Sequence, residues 1–414
     1  MKKRFSAGTV VGLVLLVSVL TFVVTYLSVF EVLNQQLMEK NETDDALDKI
    51  TLVLDHLEES FIGEFERETL VDGALKGMVA ATGDRWSAYL TGDEYDYLMQ
   101  NIMNEYVGIG LSVSYNRPEE GILVVRAHPG SSAEEMGFEK GDLIVAVGAM
   151  RIGTYTQYEL ADAISGPEGT TVTLGVVRAA TGEEETLEVE RRSYTYQAVF
   201  SEIMDGNVGY VRVENFDSLV HVNFKDAVNQ LIDAGVEGFI FDVRFNPGGQ
   251  LAVLQKMLDQ LLPKGRIFLS RDKAGNEYEL TSGASCVEMP MVVLVNEDSV
   301  SAAEYFAAAL QEYDWAEIVG MNTTGKGYSQ VQIPLGDGSA LNLSVNEYFT
   351  PQGRSLIGVG ITPDYIVDLS DEDYINWSLL EHDEDEQLTM ARTVIANAIE
   401  AARPQPEEDV DAAE

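Results

Sequence analysis

An apolar run, MPMVVLVN (289–296), gives way within five residues to an alanine-rich helical stretch that starts at Ser301. A strand that turns straight into a helix needs a sheet to sit in and a face to pack against, which argues for an α/β core. The neighbouring segments agree. NVGYVRVENF (207–216) reads as a strand, LVHVNFKDAVNQLIDAG (219–235) as a helix, GFIFDV (238–243) as a strand and LAVLQKMLDQLL (251–262) as a helix. Asp337-Gly338 marks a hairpin between Gln330–Leu335 and Ala340–Glu347.

The strand-to-helix turn also carries chemistry. Lys326 follows Ser301 by 25 residues, in a glycine-flanked turn, and Gln330 lies four further on. A serine hydroxyl is a poor nucleophile until a neighbouring base takes its proton. Lysine is such a base only when neutral, so its ordinary pKa must fall by roughly 3 units, which burial among apolar groups can do. Val319, Tyr328 and Ala302–Ala309 offer apolar surroundings, and Gln330 could orient the amine without restoring charge. The start of the helix would place N–H groups near a developing oxyanion. GFIFDVRFNPGGQ (238–250) ends a buried strand in a glycine turn, where Gly248 and Gly249 would let backbone N–H groups approach a ligand closely. Spacing alone leaves a plainer alternative open: a capping serine, a surface lysine and an ordinary loop.

In chain order the segments DVRFNPGG, VNEDSVSAAE, TTGKGYSQ and YFTPQGRSLIGVGITPD resemble the C-terminal processing peptidases, or tail-specific proteases. That family's pattern is close to DLRNNPGG, NEGSASASE, FGKGSVQ and YYTPSGRSIQGKGIEPD. The resemblance covers the chain from about residue 45 to 370. It implies a serine-type endopeptidase with Ser301 as nucleophile, Lys326 as general base and Gln330 orienting the lysine. It further implies an oxyanion hole from Gly248 or Gly249 with the backbone of Ala302. Asp298, Val300, Ala303 and Thr324 depart from the pattern, though none replaces a reacting group. Asp298 adds a carboxylate near the nucleophile; contact with Lys326 would favour the charged amine and oppose its use as a base.

Residues 106–192 read as a separate module. YVGIGLSV (106–113), then PGSSAEEMGFEKGDLIVAVG, then the helical YTQYELADAISG and a strand pair resemble a PDZ domain in the permuted order found inside these peptidases. Glycine-rich N–H groups can hold a terminal carboxylate while an extended peptide adds to a sheet edge. Val107, Gly108, Ile109, Gly110 and Leu111 are the expected peptide-binding loop, with Val107, Ile109 and Leu111 bordering the groove.

Lys2, Lys3 and Arg4 precede an apolar run from Ala7 to Phe30, 24 residues or about 36 Å as a helix. No small-residue cleavage site follows it, so an uncleaved signal anchor over 6–30 is expected, with cleavage and secretion as the alternative. The cationic end at 1–5 would stay in the cytoplasm and the catalytic part outside. The remaining organisation is a helical region at 44–105 in which Leu47, Ile50, Leu54, Leu57 and Phe61 fall near one face; within it the stretch 70–98 reads as a helical cap or a dimer contact, with a core helix as the alternative. The PDZ-like domain follows at 106–192, the peptidase core at 193–370 and an acidic helix and tail at 371–414. The resemblance gives the core a crotonase/Clp-like α/β fold, and the whole reads as an α/β and β-rich multidomain chain.

The net charge of −42 disfavours nucleic acid and anionic lipid surfaces as partners of the soluble part. Cys286 is the single cysteine, which excludes an internal disulfide and reads as a small buried apolar group. No metal-binding spacing is present, and neither metal nor cofactor is implied. The expected partners are unfolded or extended polypeptides with exposed C-termini, the membrane and, by family habit, a second copy of the chain. A non-catalytic, membrane-anchored PDZ receptor or scaffold for protein tails is the competing class. A lipase reading is weak, because no GxSxG surrounds Ser301.

Overall fold

Runs of alternating and continuous apolar residues set the strands of the computed structural model, which describes residues 7–103, 105–115, 117 and 119–403. The cationic start at 1–5, Ser6 and the tail from residue 404 lie outside the described residues. The chain forms two compact units, Met1–Gly73 and Ala74–Glu414.

The first unit is dominated by one helix, α1 (Ala7–Ser60), followed by the start of α2 (Arg67–Ala80). An ion pair between Arg67 and Glu58 folds the start of α2 back on the end of α1. Leu47, Ile50 and Phe61 are exposed, so the shared face foreseen there is not buried. The transmembrane helix expected over 6–30 is not recovered: among the described residues, no helix is long and apolar enough to cross a membrane. The described apolar stretch from Val17 to Phe30 is exposed.

The second unit opens with β1 (Ala88–Leu90) and α3 (Gly92–Met103). The region read as helical thus supplies a strand as well. A two-stranded ribbon of β2 (Glu105–Gly108) with a later strand leads into the PDZ-like module. That module comprises β3 (Leu111–Ser114), β4 (Ile122–Ala127), α4 (Ser132–Glu135), β5 (Leu143–Val147), β6 (Met150–Arg151), α5 (Gln157–Ile164), β7 (Thr171–Val177) and β8 (Glu184–Glu190). Its sheet order is β3-β4-β5-β7-β8, with β3 an edge strand among the described residues. Ile122, Val124, Ile144, Leu160, Leu174 and Val176 fill its core. Strand β9 (Arg192–Thr195) then returns to pair with β2.

The peptidase-like core follows. Its elements are β10 (Val199–Met204), β11 (Val208–Val213), α6 (Val220–Asp233), β12 (Gly238–Asp242) and α7 (Leu251–Leu261). After them come β13 (Arg266–Asp272), β14 (Glu277–Thr281), β15 (Met291–Val295), α8 (Ala302–Glu312) and β16 (Ala316–Gly320). The chain closes with β17 (Tyr328–Pro334), β18 (Ala340–Phe349), β19 (Tyr365–Ile366), α9 (Asp371–Ile375) and α10 (Glu386–Ala402). The main sheet runs β10-β11-β12-β15-β16-β19, parallel apart from the β10–β11 hairpin. A parallel sheet is covered on both faces, which is why its strands are apolar throughout. Phe239, Phe241, Val293 and Val295 point toward Phe224, Leu254 and Phe306 of α6, α7 and α8. Ile240, Val292 and Leu294 point the other way, to Leu388, Ala391 and Ile395 of α10. The second sheet, β1-β18-β13-β14 with β17 on β18, sets β1 and the Gln330-bearing β17 on opposite sides of β18.

Candidate active site

Ser301 sits at the N-terminus of α8 with φ +56°, a left-handed conformation that a non-glycine residue rarely adopts. The strain is held by hydrogen bonds on both sides of the turn. Val300 N–H donates to Asn246 O at 2.9 Å, and Ser301 N–H donates to Glu304 Oε2 at 2.8 Å.

Glu304, which the sequence reading passed over, is fully buried and binds the serine and lysine turns together. Its carboxylate also accepts from Thr323 Oγ1 at 2.6 Å, Gly325 N–H at 2.7 Å and Lys326 N–H at 2.9 Å. Burial pushes its pKa above the ordinary value, and these hydrogen bonds oppose the rise. Ser-x-x-Glu at a helix start is a capping-box spacing, so the signal was present in VSAAE.

The glycine turn lies directly against the serine. A Cβ on Gly248, whose φ is +96°, would fall 2.8 Å from Ser301 Cβ and 3.0 Å from Ala302 N. The turn is pinned by Phe216 N–H to Gly248 O and Gln250 N–H to Phe216 O, both 2.8 Å. The Gly248 N–H is already taken, donating to Asn246 Oδ1 at 2.8 Å. The N–H groups of Gly249 and Ala302 donate to no other group among the described residues. Of the two glycines, Gly249 therefore has the available donor. Asn246 is the organiser here, since its amide also donates to Val213 O at 2.7 Å.

Lys326 is half-buried. Burial holds its amine below the ordinary lysine pKa, with Arg85 helping and the carboxylates of Glu304 and Asp84 opposing. Its apolar cover is the Trp86 ring, whose centroid lies 4.5 Å from Nζ. Val319, expected nearby, instead packs in the core beneath α10. Among the described residues, no hydrogen bond joins Lys326 Nζ to Ser301 Oγ or to Gln330. Gln330 stands opposite Ser344 across the hairpin, next to a bulge at Ser329/Gln330. Its Nε2 donates to Ser344 Oγ at 3.0 Å and to Tyr328 O at 3.1 Å. Asp298 does not turn toward the lysine, because its carboxylate accepts from Tyr374 Oη.

Behind the glycine turn lies a buried ion pair that sequence reasoning also missed. Arg244 is 2% exposed, bonded to Asp242 at 2.6 Å and to Asp385 at 2.8 Å. Burial opposes ionisation of Asp242, yet Arg244 and its hydrogen bonds outweigh it and hold the carboxyl below its ordinary pKa. The pair ties the DVRFNPGG turn to the start of α10.

In the PDZ-like loop, Val107 belongs to the β2–β9 ribbon and is exposed. Ile109 is only 4% exposed and fills the module's core, so it does not border an open groove as expected. Gly110 is required by sterics: its φ is +81° and a Cβ would fall 2.2 Å from Ser131 Cβ. Leu111 is half-buried against the same core as Ile109. Cys286 is half-buried rather than buried.

An α/β core with a strained serine before a helix, a lysine turn bound to it and a PDZ-like module ahead defines a serine-hydrolase type of site. Residues 207–367 match Peptidase family S41, 123–178 match PDZ domain, and 20–94 match Activating protease CtpB N-terminal domain. The chain is 30% identical over 330 residues to the carboxy-terminal processing protease CtpA of Bacillus subtilis (strain 168), covering 79% of this chain and 70% of that one. It is 31% identical over 363 residues to a probable CtpA-like serine protease of Staphylococcus aureus (strain N315), covering 86% and 71%. The fold matches the crystal structure of an S41 protease from Bacteroides fragilis NCTC 9343 with a TM-score of 0.58 at 20% identity, over 79% of this chain and 90% of that one. The chain belongs to peptidase family S41, among the C-terminal processing serine proteases.

Proposed function

We propose that the chain is an endopeptidase working through a Ser301–Lys326 dyad. The observation that carries this reading is the Glu304 carboxylate, which accepts from the N–H groups of both Ser301 and Lys326. One buried side chain thereby draws the strained serine and the lysine turn into a single knot. Neutral Lys326 takes the Ser301 proton as Oγ bonds to the scissile carbonyl carbon. The carbonyl oxygen becomes an oxyanion facing the N–H groups of Gly249 and Ala302. Collapse breaks the C–N bond, and the leaving amine receives the proton from Lys326. Water, deprotonated by Lys326, then attacks the Ser301 ester; its C–O bond breaks and Lys326 returns the proton to Ser301 Oγ.

In this reading the PDZ-like loop at Val107–Leu111 receives the carboxyl terminus of an extended polypeptide, which adds as a strand along the edge strand β3. A second copy of the chain is the partner that the family's habit suggests. The membrane reading rests on the sequence run 6–30, and places the catalytic part outside the cytoplasm. The decisive experiment for the chemistry uses the purified chain with an unfolded protein such as casein. Ser301→Ala should cut at least ~1,000-fold more slowly than the parent. Equal rates would refute the assignment, and binding without fragments in the parent would favour a receptor for protein tails.

A further inference from the structure

The amine that would activate Ser301 rests elsewhere. Lys326 Nζ lies over the Trp86 indole, and the Arg85 guanidinium lies 4.4 Å from the same ring centroid. Trp86 arrives from a turn 240 residues before the lysine, and that turn is firmly docked on the catalytic hairpin. Trp86 N–H donates to Asp84 Oδ1 at 3.1 Å, and Asn342 Nδ2 donates to Trp86 O at 3.2 Å. Ser87 Oγ donates to Asp84 Oδ2 at 2.6 Å and accepts from Ser344 N–H at 2.9 Å. Ser344 Oγ in turn accepts from Gln330. The turn that carries the indole therefore also fixes the Gln330 amide through Ser344.

We propose that Trp86 is a positioning residue for Lys326: its ring seats the charged amine in the resting enzyme, and departure from that seat delivers the base to Ser301. The proposal rests on the dyad reading above and adds its regulation. An aromatic face attracts an ammonium and has little hold on a neutral amine. Loss of the proton and release from the indole are thus one coupled event. The charged groups facing Lys326 are Glu304 from α8 and Asp84 and Arg85 from the docked turn. Both carboxylates favour the charged, seated form, while burial and Arg85 favour the neutral one. Trp86 and Tyr328 also line a cleft of about 640 Å³ with Asp84, Arg85, Ser344 and Glu347. An extended peptide entering that cleft would meet the indole and compete for its face.

The test compares the parent chain with Trp86→Phe and Trp86→Leu; leucine keeps apolar bulk and removes the π face. Two pH profiles are recorded. One is the rate at which Lys326 reacts with an acetylating reagent, read by peptide mass spectrometry. The other is kcat/KM on a fluorogenic peptide, with Ser301→Ala as the control. In Trp86→Leu both midpoints should move to lower pH by about half a unit to one unit, roughly three- to tenfold in acidity, with Trp86→Phe between. Midpoints that match the parent in a folded Trp86→Leu protein overturn the proposal. If that variant does not fold, a Trp86→Phe midpoint identical to the parent overturns it equally. A shifted labelling profile without Ser301-dependent cleavage supports the seat and refutes the peptidase reading. Ser301-dependent cleavage with unmoved midpoints refutes the seat alone.

Discussion

Asp217 shows how much a single buried group can do beside the glycine turn. A Cβ on Gly249 would fall 2.8 Å from its Oδ1, so the carboxyl lies against the backbone that carries the available N–H. Burial raises its pKa from 3.8 to about 7. The Tyr106 phenol feels this charge from β2, and its own pKa is pushed up to about 12, chiefly by burial. The folded state therefore binds the Asp217 proton more tightly than the unfolded chain does. Stability from this group is complete below about pH 3.8 and is lost as pH rises through about 7. Asp217→Asn should melt ~2–4 °C above the parent at pH 8, with the gain shrinking toward zero near pH 4. Calorimetry at several pH values tests this, and a gain independent of pH would contradict it.

At the scale of elements, the helix α10 is held by more than its apolar face. Arg244 Nη1 donates to Asp385 Oδ1 at 3.0 Å and to Gln387 Oε1 at 2.9 Å, while Tyr210 Oη donates to Asp242 at 2.8 Å. Removing the arginine leaves two buried carboxylates without their cation, which costs about 3–5 kcal/mol. Arg244→Leu should therefore lower stability by about that amount in urea unfolding and slow cleavage by displacing the Asn246–Gly249 turn. A variant as stable as the parent would show that the pair is dispensable. The element pattern itself was legible: 208–213, 220–233, 238–242 and 251–261 fall where apolar periodicity put strand, helix, strand and helix. What periodicity missed were contacts set by pairing register. Gln330 meets Ser344 rather than Lys326 because a bulge shifts the hairpin at that point. Trp86 covers Lys326 because β1 pairs with β18, and nothing local to either residue signals that meeting.

For the whole molecule, local motifs in chain order carried the family and the serine and lysine turns, since each depends on residues close in sequence. The burial of Ile109 and the partner of Asp298 depended on the completed tertiary structure and were not readable. Charge and compartment belong to this scale as well. If residues 6–30 anchor the chain, cell fractionation should leave it with membranes after alkaline carbonate washing, and deletion of 2–30 should release it. Recovery of the full chain in the soluble fraction would refute the anchor. The Arg244–Asp385 tie has one more consequence. Synthesis proceeds from the first residue, so the arginine emerges 141 residues ahead of its second carboxylate. Until Asp385 has been made, Arg244 has Asp242 but not its second buried carboxylate partner. Under the proposed mechanism, a nascent chain completes the support behind its Asn246–Gly249 turn only once its far end has folded back.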